Sequence, residues 1–200
     1  MLKSTYMIAF VCLISFYSVS ARSAEFYENR QYGFSVEIPD GATRCTVDPG
    51  TNTDGTPGLY TQDHGASIFL DNRSGDCAEL HKHPAVNLYA AYNVLDERLD
   101  ELAQSWCSLG KIKFRLVEPP QNLGFNFRPS HICRMDADDG WANIQVITQG
   151  GKQPGPPLTL NTDVPLVNYS ARLRTTEQRF ETDLLRFRAI LGTVRFFQPE

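Results

Sequence analysis

The sequence predicts an α+β fold: a mostly antiparallel sheet, two amphipathic helices packed on it, and two disulfides. Three observations lead there. Several short stretches alternate apolar with polar residues, the period-2 signature of half-buried strands, as in VNLYAAY at 86–92. Two stretches carry apolar residues at helical spacing: Leu95, Leu99, Leu102 and Trp106, then Phe180, Leu184, Phe187 and Leu191. Four cysteines, Cys45, Cys77, Cys107 and Cys133, lie beyond a hydrophobic leader, an even number that suits an exported, cross-linked domain.

The leader comes first. Lys3 precedes an apolar run, Tyr6 to Val19, and Val19-Ser20-Ala21 places small residues where a signal peptidase reads them. Ala24 is a second cleavage candidate, with Arg22 poorly placed for it. The run is shorter than the roughly 20 residues of a spanning helix. The expectation is a cleaved signal over 1–21, no membrane anchor after cleavage, and one α+β domain over 22–200. The destination is the periplasm or the cell exterior.

Within the domain, Tyr32 to Pro39 alternates and forms the first strand, ended by the turn Pro39-Asp40-Gly41. Residues 46–58 are rich in Thr, Asp, Gly and Pro and form a loop. Gly58 to Gln62 and Ala66 to Leu70 are expected to pair through a tight turn at Asp63-His64-Gly65. Residues 72–84 are loop, and Val86 to Tyr92 is a strand. Asn93 is placed to cap a helix, with Asp96 and Glu97 in its first turn and Gly110 past its end. Ile112 to Leu116 alternates as a strand. Ile132 to Met135 and Trp141 to Ile147 flank Asp136-Ala137-Asp138-Asp139-Gly140 as a hairpin. After a flexible 149–157, Val167 to Leu173 is a strand. Thr175 or Thr176 caps the last helix, Gly192 ends it, and Thr193 to Phe197 closes as a short strand.

The cysteines allow three pairings. Sequence alone does not choose among them; the expected pairing is Cys45–Cys77 with Cys107–Cys133, the first closing a loop of about 30 residues and the second a slightly shorter one. Zinc is disfavoured because no two cysteines stand at C-x-x-C spacing.

YGFSVEIPDG near the start and FETDLLRFRAILGTVRFF at the end resemble the PsbP-like α/β/α sandwich family and its bacterial periplasmic relatives. The resemblance covers the two ends only. It implies a long terminal helix leading into a short last strand, and an accessory or binding role in a larger assembly without catalysis. The four-cysteine middle departs from that family's pattern.

Charge narrows the partners. With 19 basic and 23 acidic residues the chain is mildly acidic, which gives no footprint for nucleic acid or anionic lipid. The richest local chemistry lies in HGASIFLDNRSGDCAELHKHP. In an extended segment His81 and His83 point the same way, so His64, His81 and His83 are the candidate metal ligands, with Asp76 or Glu79 to complete a site. The plainer expectation is a strand and a polar loop. Asp136, Asp138 and Asp139 lack the spacing of a calcium loop and suit a hairpin tip. No G-x-S-x-G occurs, and Gly150-Gly151-Lys152-Gln153 fails as a phosphate loop at Gln153. Two sequons, at Asn72 and Asn168, are about what chance supplies. Arg172, Arg174, Arg179, Arg186 and Arg188 crowd the last strand and helix. They are either an anion-binding face or partners for Glu177, Glu181 and Asp183.

The expected function is a non-catalytic protein-binding module, of inhibitor, immunity or envelope-accessory type, with no catalytic residues and no cofactor. The alternative is a small secreted hydrolase or metal-binding protein using the His64–His83 region.

Overall fold

The computed structural model describes residues 25–46, 64–71, 77–93, 95–107, 114–117, 123–125, 128–137, 140–150 and 166–197. The expected signal segment, all but the first residue of the expected 46–58 loop, and the expected strand at 58–62 lie outside them.

The described residues form ten strands, two α-helices and two 3-10 turns. β1 (Glu25–Asn29), β2 (Phe34–Ile38) and β10 (Arg195–Phe196) form a small antiparallel sheet with β2 in the middle. β3 (Arg44–Thr46), β4 (Gly65–Phe69), β5 (Ala85–Tyr92), β6 (Phe114–Val117), β7 (His131–Ala137), β8 (Trp141–Gln149) and β9 (Val167–Thr176) form a seven-stranded antiparallel sheet in the order β3-β4-β5-β9-β8-β7-β6. The α+β class and the antiparallel character read from the sequence both hold.

α2 (Phe180–Thr193) packs against β2 and β9, joining the small sheet to one face of the large one. The shared core contains Val36, Ile38, Val86, Leu88, Ile144, Leu173, Phe187 and Leu191. Alternation explains it: even residues of β5 and β8 and odd residues of β9 point to this face. α1 (Leu99–Cys107) lies on the opposite face, where Leu102 and Ala103 pack on Ile147.

Both disulfides form as expected. Cys45–Cys77 ties β3 to the 3-10 turn Cys77–Lys82, with Cα atoms 5.7 Å apart. Cys107–Cys133 ties the end of α1 to β7 at 6.0 Å.

The structure corrects several elements. β1 precedes the strand expected to be first. The partners of β4 are β3 on one edge and β5 on the other, where the strand expected at 58–62 was to pair; Asp63 and that strand lie outside the described residues. The expected loop at 72–84 contains the 3-10 turn at 77–82. Asn93 caps no helix directly. Its amide bonds Glu97 twice, through Glu97 N–H and Glu97 O, and closes a turn containing Asp96 at φ 53°. α1 therefore starts later, where the Glu101 carboxylate accepts from Arg98 N–H, and Leu95 is left 74% exposed. At the last helix neither threonine caps a backbone N–H; Thr175 instead donates its hydroxyl to Asp183. Gly192 sits within the final turn of α2 and does not end it.

Candidate functional site

The histidines come first. His64 is buried at the start of β4. Its Nδ1 lies 2.9 Å from Ala90 O and 3.1 Å from the Tyr32 hydroxyl. A carbonyl only accepts, so Nδ1 carries a hydrogen and donates to Ala90 O. The ring is stacked between Tyr32 and Tyr89, each centroid 5.4 Å away, in the offset geometry aromatic rings favour. These contacts are those of a packed histidine.

His83 sits at the other end of the same strand pair. Its Nδ1 is 3.6 Å from Asp71, and its ring meets Phe69 edge-on. His64 and Asp71 bracket β4, so seven residues of extended chain, about 20 Å, separate the two imidazoles. His81 lies in the 3-10 turn Cys77–Lys82, and its side chain is outside the described residues. Asp76 is also outside them, and Glu79 is exposed and bonded to Lys82. Among the described residues no group of three or more His, Cys, Asp or Glu side chains is placed to hold an ion. No hydroxyl or thiol bonds to His83 among them either. Asp136 is buried and grips Arg134 through two 3.0 Å bonds; Asp138 and Asp139 lie outside the described residues. Asn168 is buried on β9 and bonds Gln149.

The arginine cluster divides. Arg179 and Arg186 pair with Asp183, which is wholly buried in the first turn of α2, and Arg179 also stands 3.8 Å from Asp71. Of the expected partners Glu177, Glu181 and Asp183, it is Asp183 that pairs with both arginines among the described residues, and Asp71 joins it at Arg179. Arg188 is on the exposed side of α2 and has an electrostatic or hydrogen-bond partner of its own.

Arg172 and Arg174 are different. Both project from β9 onto the α1 face of the large sheet. Register places Ser67, Asn87, Arg172, Gln145 and Cys133 in one row across β4, β5, β9, β8 and β7. The Arg172 Nε and Nη2 both donate to Asn143 Oδ1, at 3.2 and 2.8 Å. Among the described residues no carboxylate pairs with this guanidinium. Burial, and then the charge of Arg174, push its pKa below the usual arginine value; it stays charged at neutral pH. Arg174 covers the Trp141 ring at 3.6 Å.

The neighbours in the row supply further donors. Asn87 accepts from the Ser67 hydroxyl through Oδ1 at 2.6 Å and keeps its N–H groups. Gln145 is only 8% exposed, and its amide makes no hydrogen bond among the described residues. The row thus holds N–H groups of Asn87, Arg172 and Gln145 that bond nothing among the described residues. Tyr89 and Trp106, 6.2 Å apart, stand on the same side of the sheet. The sequence reading found Arg172 and Arg174 but not Asn87, Asn143 or Gln145. Their alternation with Leu88 and Ile144 was the available signal, and it says only that they face away from the core.

No protein-family model matches the chain, and no curated protein sequence matches it. Among solved structures the chain is similar to the solution structure of cyanobacterial PsbP (CyanoP) from Synechocystis sp. PCC 6803. The TM-score is 0.52 at 12% identity, over 90% of this chain and 96% of that one. At that identity the likeness is one of fold, so the resemblance read from the two ends extends through the middle of the chain as architecture: a PsbP-like α+β domain carrying two disulfides.

Proposed function

We propose that this chain is an exported, non-catalytic binding domain, matured by cleavage after Ala21, which acts by docking a partner protein outside the cytoplasm. The observation that carries the reading is the α1 face of the large sheet. One face of the sheet is sealed by α2 and the small sheet. The other presents Tyr89, Trp106, Trp141, Asn87, Arg172 and Arg174, all at least partly exposed. Tyrosine, tryptophan and arginine are the side chains most enriched at protein interfaces and their hot spots. Two disulfides suit an oxidising compartment, and no described helix is long and apolar enough to cross a membrane. A PsbP-like fold fits an accessory role, by inhibition, immunity or envelope assembly. The histidines support the same reading, since His64 and His83 each serve a local contact at opposite ends of one strand pair.

The experiment is crosslinking in the chain's own host. The chain carries a photoreactive residue in place of Tyr89 or, as control, of exposed Leu185 on α2. The reading expects one discrete adduct from position 89 and none from 185. Adducts from neither position, or equally from both, contradict it.

A further inference from the structure

We propose that the Asn87–Arg172–Gln145 row is a receptor for a carboxylate, presented by an acidic segment of the partner protein. This deepens the binding-domain reading and rests on it for the identity of the carrier.

A guanidinium has five N–H groups. The Nε–H and one Nη2–H of Arg172 are spent on Asn143 Oδ1. Both Nη1 hydrogens and the other Nη2 hydrogen remain; one Nη1–H and that Nη2–H share an edge and form the fork that takes two carboxylate oxygens side by side. Asn143 fixes the guanidinium, so little freedom is lost on binding; Asn143 itself is held among β7, β8 and β9 and is 2% exposed. Gln145 and Asn87 are the direct cross-strand neighbours of Arg172, one strand spacing away on either side. Each amide can donate an N–H group toward the same place.

Three features favour a carboxylate over a phosphate. The open edge is planar and two-pronged. Only one guanidinium faces it directly, because Arg174 lies over Trp141, so a single negative charge is matched. The chain also carries a net charge of −4, which repels a dianion more than a monoanion. Burying a cation without an anion is costly, and an incoming carboxylate offsets that cost. The ring of Tyr89, two residues along β5 from Asn87, and that of Trp106 against it would pack apolar parts of a peptide. A free carboxylate would gain nothing from them.

The test is a titration of the isotopically labelled, disulfide-intact chain, followed by backbone amide shifts. The probes are a ten-residue peptide with a Glu-Glu-Tyr core, the same peptide with Gln-Gln-Tyr, sodium acetate, and inorganic phosphate. The expected result is saturable shifts at 87, 145 and 172 with the acidic peptide alone. R172Q and R172K should each weaken it at least about tenfold, since a fork to a charged acceptor is worth that much and lysine lacks the fork. Q145L, which leaves Arg172 in place, should weaken it severalfold and guards against a folding defect in the arginine variants. No shifts at these residues, or undiminished binding by folded R172Q, overturns the site. Phosphate binding as tightly as the peptide overturns its carboxylate selectivity, and acetate binding as tightly overturns the peptide as the source. The two readings separate cleanly. A partner that crosslinks equally well to wild type and R172Q keeps the binding domain and removes this site. An acidic peptide that binds while no partner crosslinks keeps the site and removes the domain's proposed role.

Discussion

Replacing Gly65 with alanine tests how tightly the β4–β5 pair is built under the His64–Tyr89 stack. An added Cβ would overlap the Leu88 carbonyl oxygen and sit 2.9 Å from its carbon and 3.1 Å from Tyr89 Cα. All three are backbone atoms, so no side chain can swing aside; the strands must part. Ordinary carbon contacts need about 3.5 Å or more, so the end of β4 must shift by about 1 Å or more. The first casualty is the bond from Ala90 N–H to His64 O, now 2.8 Å. A buried backbone bond lost without replacement costs about 1–3 kcal/mol. Loosening the His64–Tyr89 stack adds about 1 kcal/mol. Alanine returns up to about 1 kcal/mol by restricting the unfolded chain. The net loss is about 1–4 kcal/mol, or roughly 2–16 °C in Tm for a domain of this size. Thermal melting with the disulfides intact reads it directly. Gly140 is the control: its φ is +82° and nothing lies within 4 Å of an added Cβ, so G140A should cost only the left-handed backbone penalty of about 1–2 kcal/mol. A G65A melting point within about 2 °C of wild type would mean that the β4–β5 backbone contact at Gly65 is not tight.

Other outcomes follow from the same structure. G192A, in the last turn of α2 with open space around it, should raise stability by about 0.5–1 kcal/mol, and a lowered melting point contradicts this. D183A should lose about 3 kcal/mol in urea unfolding, because it strands the buried Thr175 hydroxyl and two guanidinium partners. R186A should lose under about 1 kcal/mol, since that guanidinium is half exposed; equal losses would refute the assignment. Removing Cys45 and Cys77 together should cost about 3–4 kcal/mol by the loop-entropy relation for a separation of 32, and an unchanged midpoint contradicts that. Burial pushes the Tyr169 phenol up to about 12 from 10. The unfolded chain therefore releases that proton first, and stability present below pH 10 should fall between pH 10 and 12. Urea midpoints that stay level from pH 9 to 11.5 in wild type, or fall equally in Tyr169→Phe, refute the attribution.

Strands with one apolar face were legible because alternation and burial coincide. β5, β9 and the β7–β8 hairpin all lie where the pattern put them. β1 was not legible: its inward residues are Tyr27 and Asn29, and Asn29 is buried by hydrogen bonds to the Tyr27 hydroxyl and from Tyr32 N–H. A polar residue at a core position breaks the hydrophobic period. The start of α1 was misplaced for a related reason, since an asparagine that closes a turn and one that caps a helix look alike in sequence. The pairing of β4 was misread because a Gly after Asp-His signals a turn, while here its missing Cβ admits the neighbouring strand. The candidate site needed register above all. Asn87, Gln145 and Arg172 come from three strands, and only the ladder brings them into one row.

A native mass spectrum of the chain, taken from its own host without reduction, decides between a partnered domain and a solitary one. The account predicts a chain beginning at Arg22, lighter by four hydrogens for two disulfides, held with a second protein at fixed stoichiometry. A bare chain, or one holding a metal ion and no protein, would contradict it.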